Sequence, residues 1–99
     1  MALTKIDSYE IMYSGNTFPP RIWLKSGNTF IGQLIFQRNG DTLPADSLSA
    51  GQVNLFYHLE NFAHCIDILR NESPVFLLFN STGGENGIKT TTEVVGEDE

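Results

Sequence analysis

A single cysteine, Cys65, stands in this chain, so no disulfide can close within it. Basic residues are scarce as well: six Lys and Arg face twelve Asp and Glu, for a net charge of −6. Nucleic acid is held largely by neutralising its phosphates, so this balance disfavours a general nucleic-acid binder. The deficit is uneven. Residues 1–50 balance to zero and residues 51–99 carry the whole negative charge, which leaves a local basic patch feasible in the first half. Long apolar runs are missing, and no stretch reaches the length of a membrane span. The opening MALTKIDSYE has neither the basic start nor the apolar run of a secretory signal. The expected compartment is therefore the cytoplasm, with no membrane partner.

Motifs of cofactor chemistry are also absent. No Cys-x-x-Cys or His-x-x-x-His spacing occurs, so no metal is expected. GGENGIKTT approaches a phosphate loop, but Ile88 separates Gly87 from Lys89, and IKTTTEVV reads as a strand rather than a helix. No cofactor is expected.

What is present is the patterning of one small β-rich domain, 1–95, with an acidic tail at 96–99 expected to be disordered. Tyr9, Ile11 and Tyr13 alternate with Ser8, Glu10 and Met12, as a short strand requires. Further strands are expected at residues 21–25, 29–37, 52–58, 74–80 and 88–95, with a long polar connection at 38–51. One helix is expected near residues 60–72. Phe62, Ile66 and Leu69 form its apolar stripe, Ala63 widens it, Asn61 caps it, and Pro74 prevents its continuation. Cys65 points away from the line of Glu60, His64 and Asp67 and is expected to be half-buried.

The pentapeptide SGNTF occurs twice, at 14–18 and 26–30. Gly and Asn both tolerate the left-handed backbone of tight turns, so shared turn chemistry explains the repeat without a duplicated site. The second copy joins two strands. A plain two-residue turn at Gly27 and Asn28 would put Leu24 opposite Ile31 and mix polar with apolar on both faces. A three-residue turn, with Asn28 left-handed, puts Leu24 opposite Phe30 and Ile22 opposite Gly32. Ile22, Leu24, Phe30, Gly32, Leu34 and Phe36 then share one core face. The three-residue form is the one predicted.

The stretch IWLKSGNTFIGQL at residues 22–34 resembles the first Sm motif of the Sm-like family. The shared pattern is an apolar residue before Leu24, the turn glycine Gly27, Phe30, the strand glycine Gly32 and Leu34. The resemblance implies a small, strongly bent antiparallel sheet closed as an Sm-like or SH3-like barrel, with the chain curling at Gly32 and subunits joining edge to edge. Gln37, Arg38 and Asn39 stand where that family places its RNA-contacting Asp and Asn, so no RNA site carries over.

Three groups of residues are candidates for function. Arg21, Trp23 and Lys25 fall on the strand face opposite the core, where two cations and an aromatic are able to hold phosphate and stack a base. The alternative there is a solvent-facing edge strand guarded by charge. Trp23, Ile35 and Ile68 are outward apolar residues, either scattered or forming a subunit contact. His58, Glu60, His64, Cys65 and Asp67 lie close in sequence, but helical geometry aligns only Glu60, His64 and Asp67. Catalytic residues and metal ligands are accordingly predicted to be none. The expected function is a non-enzymatic, self-associating binding or assembly module. An Sm-like RNA binder is the alternative, and an enzyme for a small substrate a weaker one.

Overall fold

The second SGNTF turns the chain with two residues, not three. In the computed structural model, which describes residues 2–92 and 94–96, Ser26 pairs with Thr29 and Lys25 with Phe30. Gly27 alone of the two turn residues takes a positive φ, 61°, the sense that suits a twisted hairpin. The register then shifts: Leu24 pairs with Gly32, leaving Ile31 as an extra residue. This bulge restores the core face that the short turn would otherwise have scrambled. Ile22, Leu24, Gly32, Leu34 and Phe36 are all buried, as predicted. Phe30 is not. It lies on the opposite face, 40% exposed, with Lys25 Nζ 4.7 Å from its ring centroid. A three-residue turn needs a left-handed Asn28; glycine in that role is less costly, and the bulge makes up the parity.

The strands are β1 (Ala2–Ile6), β2 (Ser8–Met12), β3 (Arg21–Ser26), β4 (Thr29–Gln37), β5 (Ser47–Ser49), β6 (Gln52–His58), β7 (Val75–Phe79) and β8 (Gly87–Lys89). They form two sheets, ordered β2-β3-β4-β6-β5 and β1-β7-β8. The protein is thus mainly β, and no closed barrel forms among the described residues. The expectation of a wholly antiparallel sheet fails at one place, because β4 and β6 are parallel. Residues 38–51 are long enough for such a crossover. They carry the chain past its own next position to β5, and a turn at Ala50 and Gly51 (φ 53° and 80°) returns it as β6. The apolar β6 thereby gains the interior place, and the short, polar β5 takes the edge.

Chain passes between the sheets at Asp7. Its N–H donates to Lys25 O at 2.8 Å, and its Oδ2 accepts the Gly27 N–H at 2.6 Å. One carboxylate thus ties the sheet-to-sheet corner to the hairpin turn. The core lies between the sheets, with Ile6, Val75, Leu77 and Phe79 facing Ile22, Leu24, Leu34, Phe36, Val53 and Leu55. Gly32 marks a close approach. A β-carbon there would stand 2.5 Å from Val53 O and 3.2 Å from Leu77 Cδ2 of the facing sheet.

The helix is shorter than expected. A 3₁₀ turn at Leu59–Asn61 leads into α1 (Phe62–Asn71). Asn61 makes no side-chain cap bond, because the preceding turn already delivers the backbone. Phe62, Ile66 and Leu69 do pack on the core, but Cys65 is the helix's buried residue and Ala63 is exposed. The buried face is rotated toward Cys65, which also brings Ile68 against the core. The last strand stops at Lys89 instead of reaching residue 95, and β1 extends the N-terminal pairing beyond expectation. Glu93 of that expected strand, and residues 97–99 of the expected tail, lie outside the described residues. No helix among the described residues is long and apolar enough to cross a membrane.

Candidate binding surface

The outer face of the five-stranded sheet holds most of the predicted site residues. Strand alternation turns Arg21, Trp23 and Lys25 to the side away from Ile22 and Leu24. Cross-strand pairing then sets two rows. One runs Met12, Arg21, Ile35, Phe56; the other runs Glu10, Trp23, Gln33, Asn54, Ser47. Trp23, Ile35 and Phe56 are half-buried, and none belongs to the core cluster. The structure therefore brings Trp23 and Ile35 onto one face and adds Phe56, which strand alternation from Val53 would have revealed had the parallel pairing been legible.

The third expected assembly residue is elsewhere. Ile68 leans on the core and lines a shallow groove with Glu72, Ile88, Lys89 and Thr90. Its helical angle misled because the buried face centres between Cys65 and Leu69.

The cations on the outer face already have local partners. The Arg21 guanidinium lies 5.3 Å from the Trp23 ring centroid, a cation–π distance. Lys25 lies over Phe30 and 3.4 Å from Glu10 Oε2. Down the second row, Gln33 Nε2 donates to Asn54 Oδ1 at 2.9 Å, and Asn54 Nδ2 donates to Ser47 Oγ at 3.3 Å. These bonds fix a polar ladder across three strands. Arg21 Nε and Gln33 Oε1 are shut from solvent and lack a hydrogen-bond partner among the described residues.

A second concavity lies at the end of the sheets, about 560 Å³, walled by Tyr13, Phe18, Pro19, Pro20, Phe36 and Leu59. Here the first SGNTF finds its role. Asn16 Oδ1 accepts the Phe18 N–H at 3.0 Å, which curls the loop and leaves Phe18 on its rim. Tyr13 lies against Phe62 at 5.3 Å with the rings tilted 48°, and Phe62 meets Phe36 edge-on at 4.8 Å. The two copies of SGNTF thus do different things, one a hairpin and one a loop wall.

The residues between His58 and Asp67 are dispersed. His58 Nε2 lies 2.7 Å from Asp41 O, and Asp67 accepts from Asn71 Nδ2 at 2.6 Å. His64 is exposed, whereas Cys65 is buried. Burial pushes the Cys65 thiol up to about 11, so it stays protonated at neutral pH and is a weak nucleophile. Burial likewise raises the Tyr57 phenol, with nearby Cys65 and Asp46 adding to the shift. Among the described residues, no three His, Cys, Asp or Glu side chains gather closely enough to hold a metal ion.

No family model, curated protein or solved structure matches this chain.

Proposed function

We propose that the protein is a non-enzymatic, cytoplasmic binding and assembly module that works by self-association. The observation that carries this reading is the outward grouping of Trp23, Ile35 and Phe56 on a sheet face, outside the core. Apolar side chains gathered on an outer surface mark interaction sites more often than scattered ones do. The finer fold reading, an Sm-like or SH3-like barrel, draws support from the 22–34 hairpin, the buried Gly32 and the corner at Asp7; the parallel β4–β6 pair weighs against it. Sedimentation velocity over a wide concentration range tests the function. A concentration-dependent oligomer is expected, and a strict monomer at every concentration would end the reading.

A second reading, single-stranded RNA held by Arg21, Trp23 and Lys25, is favoured by their shared face. The stacking of both cations on the chain's own rings, and Glu10 beside Lys25, weigh against it. Titration of labelled RNA at low salt decides. Binding lost in the Arg21→Ala/Lys25→Ala double variant supports it, and binding unchanged by those substitutions removes it.

A further inference from the structure

An edge strand presents unpaired main-chain N–H and C=O groups, and most proteins shield such edges with lysines, prolines, bulges or short strands. Three of the four edges here follow that practice. β5 and β8 have three residues each, and β1 carries Lys5. β2 does not. It has five residues, no proline and no lysine. Its one charge, Glu10, is already engaged by Lys25 of the neighbouring strand at 3.4 Å. Ile11 and Met12 on this edge are each 42% exposed, and Tyr13 just beyond is 63% exposed.

The sequence of β2 complements itself in one register. Pairing two copies antiparallel about a twofold axis normal to the sheet keeps inner side chains opposite inner ones. The axis must then pass through a residue, because a half-step would set inner residues against outer ones. An axis through Glu10 places two carboxylates opposite each other, which is unfavourable. An axis through Tyr9 sets Ile11 against Asp7, and one through Met12 pairs every β2 residue except Met12 itself with the loop after β2. An axis through Ile11 avoids the carboxylate pair and keeps three of the five β2 residues paired within the strand: Ile11 faces Ile11, Glu10 faces Met12, and Tyr9 faces Tyr13 just beyond it.

We infer that β2 is a homodimer edge, with two copies pairing antiparallel about Ile11 to join their five-stranded sheets into one. This inference rests on the self-association proposed above and assigns to it a main-chain edge and register, separate from the Trp23, Ile35 and Phe56 face. The occupant is a second copy of this chain, because the main-chain groups ask for an extended strand and the reverse of β2 about Ile11 sets Ile11 against itself with no like charges directly opposed.

The test uses the full chain in four forms: wild type, Ile11→Lys, Ile11→Cys and Glu10→Cys. The wild type is expected to sediment as a dimer and Ile11→Lys as a folded monomer by circular dichroism. Under mild oxidation Ile11→Cys should form a covalent dimer, since facing residues lie within disulfide reach. Glu10→Cys should link about tenfold less, because diagonal positions about 7–8 Å apart exceed that reach. Cys65 is buried and serves as the unreactive background. If the wild type is a dimer but Ile11→Lys remains dimeric and Ile11→Cys does not link, the β2 edge is overturned while self-association stands. If Glu10→Cys links faster than Ile11→Cys, the register is overturned. A wild-type monomer at every concentration overturns both. Should Ile11→Lys fail to fold, the cysteine pair decides alone.

Discussion

Leu77 on β7 packs against Gly32 on β4, so closely that a β-carbon on the glycine would meet its Cδ2 at 3.2 Å. The Val53 carbonyl oxygen, at 2.5 Å from the same point, belongs to the adjoining strand and has little room to move. Gly32→Ala is therefore expected to destabilise the fold by about 2–3 kcal/mol, the scale of overpacking a tight core. Leu77→Ala in the same chain should relieve only part of the strain, because the backbone contact remains. Urea denaturation of both variants measures this, and a neutral Gly32→Ala would show that the sheets are less closely packed there.

Ala50 is strained in a way that substitution can relieve. Its φ of 53° is left-handed, and with Gly51 at 80° it forms the two-residue loop between β5 and β6. Such loops favour Asn-Gly. Ala50→Asn should stabilise the protein by about 1 kcal/mol, read as a higher urea midpoint at unchanged slope. A lower midpoint would contradict the turn geometry.

Asp46 stands in for a missing strand. Its Oδ1 accepts the Phe56 N–H at 3.0 Å just before β5 begins, and its Oδ2 accepts from Asn86 Nδ2 at 3.0 Å. Asp46→Ala should cost about 1–3 kcal/mol, since it strips a partly buried amide of its acceptor. Hydrogen exchange at the Phe56 amide should accelerate more than at Leu55. Equal exchange at both would deny Asp46 this role.

Cys65 makes stability fall at alkaline pH. Its thiol is raised from 9.0 to about 11 by burial. Below pH 9 the folded and unfolded states both hold the proton. Between about 9 and 11 the unfolded chain releases it first, so stability declines as pH rises. Cys65→Ala should lower stability at pH 8 yet show a shallower decline from pH 9 to 10, before the raised Tyr57 phenol adds its own. Urea midpoints at pH 8, 9 and 10 decide, and identical slopes would discount the thiol.

Much of the central sheet is legible because apolar alternation is local. Ile22, Leu24, Leu34 and Phe36 announce their common face within fifteen residues of chain. Phe30 escapes this logic because a longer turn and a shorter turn with a bulge satisfy the same alternation from Leu24 to Gly32. They differ in where the odd residue sits and in register by two residues: the longer turn would set Ile22 opposite Gly32, whereas Gly32 faces Leu24 and Ile22 faces Leu34. The parallel β4–β6 pairing is not legible, since SLS is too short and polar to read as a strand and its surroundings look structureless. Nor is β1, because its partner β7 lies some seventy residues away, and pairing is not a local property. Of the candidate surface, Trp23 and Ile35 follow from strand parity. Phe56 needs the topology, and Ile68 needs the true buried face of the helix.

The pairing of β1 with β7 has a consequence for biosynthesis. β1 is synthesised some seventy residues ahead of its partner, and β6 must slide between two segments that precede it. Such distant partnerships slow folding and keep apolar segments waiting. Until residues 75–79 emerge, Leu3 and Ile6 have no sheet to join.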